Sequence, residues 1–226
     1  MWSRARARAP SWPGPRSSGS RSSMPTGSAR CSRERRMTSP NPGPDPTAAV
    51  EAYRQSLLAA LGADDPAEVQ AQTPATLQAL VLDAGPALRI RPKPGEWSAL
   101  ECIGHIVDGE LVVAGRYRWI LAHDEPEIIG YDQALWVDRL RHQDADVGHL
   151  LDLFEALRAS NLELWSRLSV AERARVGMHS ERGPESIELT FRLAAGHDRI
   201  HLAQARRALD AAGRRDAMRG RDAARG

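Results

Sequence analysis

Residues 98–101 read Ser-Ala-Leu-Glu, and from there to about His123 the apolar residues recur at helical spacing without strand-like alternation. The Ser98 hydroxyl and the Glu101 carboxylate can each satisfy a free backbone amide of the other's residue, a capping box that commits the chain to start a helix there. A long helix with an apolar stripe needs other helices or a sheet to cover it.

The remaining segments supply helices. Asp45-Pro46 is an N-cap followed by a proline at the first helical position. It opens an amphipathic run through Val50, Tyr53, Leu57, Leu58 and Leu61 to Gly62. Asp65-Pro66 and Thr73-Pro74 open two further helical pieces, the second carrying Leu77, Leu80 and Val81 and ending near Gly85. Pro86 to Gly95 is a proline-rich loop, Asp124 to Gly130 a second loop, and Tyr131 to His142 a polar-aromatic connection. Asp146 to Leu168 reads as a long helix, and Ser169-Val170-Ala171-Glu172 as a second capping box opening a short one. After a loop holding Gly183-Pro184, a last helix is expected from about Ser186 to Ala212, stopping at Gly213. No segment shows sustained period-two alternation, so no sheet is expected and the fold class is an all-α bundle.

The expected organisation is a leader at 1–46, a helical domain at 47–212 and a polar, disordered tail at 213–226. The leader is rich in Arg, Ser, Pro and Gly and lacks apolar periodicity, so it is expected to be disordered. It carries nine Arg against Glu34 and Asp45, whereas the other 180 residues carry 22 basic and 27 acidic groups. A domain of that balance offers no broad phosphate-binding surface, so nucleic acid is not expected as a partner. Only one Lys accompanies 30 Arg, a bias typical of GC-rich coding sequence, and Met1, Met24 and Met37 are all candidate starts. Two cysteines make no disulfide framework, and no apolar run reaches the roughly 20 residues that span a bilayer, so a cytoplasmic protein without membrane attachment is expected.

The chemistry is concentrated in histidines. His197-Asp198-Arg199-Ile200-His201 sets two imidazoles one helical turn apart, on a face that Leu189, Leu193, Ile200 and Ala208 mark as core-directed. Alone, such a pair is a weak signal. His105, flanked by Leu100, Ile103, Ile106 and Val107, supplies a third inward imidazole from the capped helix. Three histidines from two helices would leave coordination positions open for water or substrate, the arrangement of a catalytic divalent ion rather than a sealed structural one.

The chain resembles the DinB-like (damage-inducible) superfamily, which includes bacterial thiol-dependent S-transferases. The resemblance rests on Pro94-Gly95-Glu96-Trp97-Ser98, His105 with Asp108-Gly109-Glu110, Gly130-Tyr131-Asp132-Gln133 with Trp136, and Ala195-Gly196-His197 through His201. It covers roughly residues 50–211. It implies a four-helix bundle with extra N-terminal helical segments, a nickel-, zinc-, manganese- or iron-type ion on His105, His197 and His201, and a homodimer. It also implies transfer of a low-molecular-weight thiol onto an electrophile. Two alternatives stay open: a non-catalytic metal-binding, stress-related bundle protein, and a thiol-dependent isomerase.

Further residues are candidates for substrate contact: Arg116, Tyr131, Asp132, Trp136 and His179, with Arg118 as a second cation. Solvated surface positions are the plainer account of both arginines, His123, His142 and His149 read as loop or surface residues, and surface is the default for His179 as well. Cys102 is expected to be a small core hydrophobe rather than a fourth ligand. Asp198 resembles the acid of an H-E-x-x-H metalloprotease, but no Glu follows Glu188 to serve as third ligand, so it reads as a solvated or ligand-supporting carboxylate. Trp97 and Trp165 read as core.

Overall fold

A computed structural model describes residues 46–223, with side chains from 50 to 214. The expected leader, Pro46 apart, lies outside the described residues. Among these, the helices are α1 Pro46–Leu61, α2 Pro66–Ala84, α3 Ala99–Ala122, α4 Gln133–Arg139, α5 Val147–Arg167, α6 Val170–Arg173 and α7 Ile187–Ala223. The strands are β1 Glu127–Ile128, β2 Val176–His179 and β3 Gly183–Ser186.

Four helices close a ring: α2 packs on α5, α5 on α3, α3 on α7 and α7 back on α2. This is the four-helix bundle, and α1 lies against α7. Leu77, Leu100, Ile103, Ile106, Phe154 and Leu202 fill its centre. Each such fully buried side chain contributes roughly 1.5–3 kcal/mol. Trp165 stacks on Phe191 with ring centroids 3.8 Å apart in a second apolar cluster. A Cβ at Gly196 would fall 2.0 Å from the Leu57 carbonyl oxygen, so only glycine allows α1 to approach α7 this closely.

Both capping boxes form. Ser98 Oγ accepts from the Glu101 amide at 3.2 Å while Glu101 Oε2 accepts from the Ser98 amide at 2.8 Å, and Ser169 and Glu172 repeat the exchange.

Four expectations are corrected. Thr73-Pro74 does not open a new helix, because Pro74 sits inside a continuous α2. Proline deprives the carbonyl four residues earlier, that of Gln70, of its donor. Arg158 Nη1 restores it by donating to Gln70 O at 2.8 Å. The connection 131–142 contains α4, capped by Asp132, whose side chain accepts from the Leu135 amide at 2.9 Å. A small sheet is present: β2 and β3 form an antiparallel hairpin and β1 pairs in parallel with β2. With two to four residues each, these strands are too short to show an alternating pattern, and Gly183 turns the hairpin at φ +71°. Finally, α7 does not stop at Gly213 but continues to Ala223. A glycine inside a helix costs only about 1 kcal/mol, and the Arg, Ala and Met that follow are good helix formers.

No helix among the described residues is long and apolar enough to cross a membrane.

Candidate metal centre

The capped start of α3 fixes where His105 falls, and the neighbouring α7 presents His197 and His201 one turn apart toward it. Their ligand-type atoms all lie within 4.8 Å of one another. Ring centroids are 4.7 Å apart for His105 and His197, and 4.4 Å for each of the other two pairs. His105 and His201 are buried and His197 is half-buried.

His105 Nε2 and His197 Nε2 stand 2.9 Å apart. Two nitrogens at about 2.0–2.1 Å from one ion, near a right angle, would be separated by about the same distance. His201 Nδ1 lies 2.9 Å from Gln204 Oε1. An amide oxygen only accepts, so Nδ1 carries the proton and Nε2 keeps its lone pair. That Nε2 is buried without a hydrogen-bond partner, as is His105 Nδ1. An unmet buried polar atom costs about 1–3 kcal/mol, a cost that a cation would remove at His201 Nε2. An all-imidazole donor set suits zinc, nickel and iron.

Electrostatics keep the rings neutral, the form that ligates. Burial, reinforced by the charges of His201 and His142, pushes His105 down to about 3. Burial, then the neighbouring His201 and His105 and the more distant Arg158, holds His197 well below the usual imidazole range. Burial lowers His201 as well. Trp97, half-buried rather than fully in the core, packs over two of the rings at 5.1 Å from His105 and 6.2 Å from His201.

Around the cluster, the structure departs from several expectations. His142 is buried, with Nε2 2.6 Å from Asp108 Oδ2, and fits only because Gly104 has no Cβ: one there would sit 2.4 Å from the imidazole ring. Asp198 is buried rather than solvated. Arg158, itself buried, donates to Asp198 Oδ2 at 2.7 Å and Glu110 Oε2 at 2.8 Å, and Asn161 Nδ2 donates to Glu110 Oε1 at 2.7 Å. Thr73 Oγ1 adds a bond to Asp198 at 2.8 Å, so this network touches α2, α3, α5 and α7. Cys102 is buried core outside the cluster, and burial pushes its thiol up to about 12. His123 and His149 are exposed.

Among the described residues, cavities reach the histidines from two sides. One of about 330 Å³ is lined by His197 and also by Arg116, Tyr131 and His179. The other, about 710 Å³, is lined by His201 with Trp97, Gln204 and Arg207. Arg116 is buried, not solvated, whereas Arg118 is exposed and bonds Asn161 and Ser160. Trp136 rests on Tyr131, ring centroids 4.6 Å apart, and faces a separate surface groove; Asp132 is an exposed cap, so neither lines the two cavities. Sequence reasoning missed Arg158 and the His142–Asp108 pair. The sequence signal for both is slight, a polar residue in a helix and a histidine in a connection.

A four-helix bundle with a small appended sheet and an inward three-histidine cluster is the class of protein this structure defines. The sequence profile of the DinB superfamily matches residues 67–205, and the chain belongs to that superfamily. A protein of Oceanobacillus iheyensis, provisionally named a metal-dependent hydrolase, is 28% identical over 111 residues. That match covers 49% of this chain and 64% of the relative's length. The fold is similar to that of YfiT from Bacillus subtilis, described as a probable metal-dependent hydrolase with an unusual four-helix bundle topology. The TM-score is 0.57 and the identity 19%, over 76% of this chain and 91% of YfiT.

Proposed function

We propose that His105, His197 and His201 hold one divalent transition ion, and that the chain uses it to pass a low-molecular-weight thiol onto an electrophile. The observation that carries this reading is the pair of separate cavities, one reaching His197 and the other His201, which gives two co-substrates independent approaches. When bound, such an ion supplies Lewis acidity that lowers the pKa of a thiol, so that thiolate is available near neutral pH.

The chain's own residues do the rest. Gln204 holds the tautomer of His201, burial keeps all three rings neutral, and Trp97 covers His105 and His201. Sulfur forms a bond to the electrophilic carbon, the leaving group departs with the bonding pair, and the thiol proton passes to solvent. Arg158 pairs with both Asp198 and Glu110 beside the cluster.

A second reading is hydrolysis, in which water takes the place of the thiol; the names carried by both relatives favour it. Metal analysis of the purified chain beside His105→Ala tests the shared premise, with about one ion per chain expected and loss in the variant. The loaded protein is then given cysteine or glutathione with monochlorobimane and, separately, p-nitrophenyl acetate without thiol. Thioether formation that needs His105 supports transfer. Ester cleavage without thioether selects hydrolysis, and no metal uptake sinks both.

A further inference from the structure

Of the arginines buried among the described residues, Arg158 is matched to two carboxylates, whereas Arg116 has none within ion-pair distance. Its Nη2 donates to the Ile129 carbonyl at 3.2 Å and lies 3.3 Å from His179 Nε2, while its Nε, also buried, meets no partner. Leaving a buried guanidinium uncompensated is costly unless an anion arrives to pair with it.

The protonation of His179 sharpens this. The Glu181 backbone amide donates to His179 Nδ1 at 3.1 Å, and an amide N–H has no other role to play. Nδ1 is therefore the acceptor, and a neutral ring must carry its proton on Nε2. Burial, with the charges of Arg182 and Arg116, pushes this histidine down to about 4, so the ring is neutral at physiological pH. Nε2–H and the Arg116 Nη2 protons are then two donors facing each other with no acceptor between them.

The carboxylates near this pair are engaged elsewhere or exposed. Glu185 accepts from Arg182 at 2.7 Å and from Thr190 at 3.0 Å, Glu110 and Asp198 are held by Arg158, and Glu181 is exposed. Arg116, His179 and His197 share the 330 Å³ cavity with apolar Leu57, Val113 and Leu193. That volume lies at the lower end for small-molecule sites, which run to about 300–1,000 Å³.

We propose that this cavity selects a small organic acid, an apolar body bearing one carboxylate, with a carboxylate oxygen bridging Arg116 Nη2 and His179 Nε2 and the body extending among the apolar side chains. Resting on the proposed reaction, this assigns the cavity at His197 to the electrophile and leaves the cavity at His201 to the thiol. A charge-assisted bond to guanidinium is worth roughly twice a neutral one, and an alcohol of the same shape cannot recover it.

The test is titration calorimetry of the full chain after chelation, with benzoate, benzyl alcohol and benzylamine as probes. Without an ion, benzoate cannot bind by coordination, so the result is independent of the metal assignment. Benzoate is expected to bind at least tenfold more tightly than the other two, to lose that margin in Arg116→Gln, and to regain part of it in Arg116→Lys. Equal binding of the three probes, or no binding of any, overturns the proposal, as does wild-type benzoate affinity in Arg116→Gln. Should that variant fail to fold, discrimination between benzoate and benzyl alcohol by the unaltered chain still decides. Benzoate selectivity in a chain that takes up no metal would uphold the acid pocket and remove the metal-based reaction; metal uptake without selectivity would do the reverse.

Discussion

Arg158 on α5 and Asp198 on α7 meet at 2.7 Å, both almost wholly buried, next to the metal-type ligand His197. The same guanidinium reaches Glu110 on α3 and the Gln70 carbonyl on α2, so one side chain sets how the four bundle helices align. That alignment is what brings His105 opposite His197 and His201.

Replacing Arg158 by Met should therefore be severe, because two carboxylates and the Gln70 carbonyl lose their shared partner together. Breaking a buried pair costs about 3–5 kcal/mol. The triple variant Arg158→Met, Glu110→Gln, Asp198→Asn leaves no unpaired charge and should recover part of the loss. Urea denaturation midpoints measure both, and a single variant costing under about 1 kcal/mol would contradict the network's role.

Gln204, which also lines the cavity at His201, bonds His201 Nδ1 and so acts on the ion through that ring. Gln204→Leu should lower metal affinity by roughly 10–100-fold while leaving the stability of the chelated protein near wild type. Competition against a chromogenic chelator reads the affinity. An unchanged value would mean that the ring is held in place by packing alone.

Legibility followed the range of the interactions. Both capping boxes and the His197–His201 spacing involve residues no more than four apart, so they were plain in the sequence. Pro74 reads locally as a break, and its rescue comes from Arg158, 88 residues beyond the carbonyl it satisfies. His142 looks like a connection residue because its partner Asp108 lies 34 positions earlier. Arg116 gave only its charge: the burial that leaves it without a carboxylate arises where α3, β1 and the β2–β3 hairpin meet, and those strands are too short to announce themselves.

His179 should make stability depend on pH. Its folded-state value, about 4, lies below the ordinary 6.5, so as pH falls the unfolded chain takes up the proton first. The contribution is therefore full above about 6.5 and is lost as pH drops toward 4, on the order of 2 kcal/mol at pH 5. In the metal-free chain the three clustered histidines act with the same sign. Thermal unfolding from pH 7.5 to 4.5 should show a shallower decline in His179→Gln than in the parent; parallel curves would refute the assignment.

Cys102, the one cysteine among the described residues, sits one turn from His105 yet is sealed in the core as an un-ionised thiol. The thiol transfer proposed above would be at risk from the protein's own cysteines, which could seize the ion or be alkylated by the electrophile. Burial gives Cys102 chemical immunity: in the proposed reaction the attacking sulfur is an imported one, and an alkylating electrophile would pass beside Cys102 without reaching it.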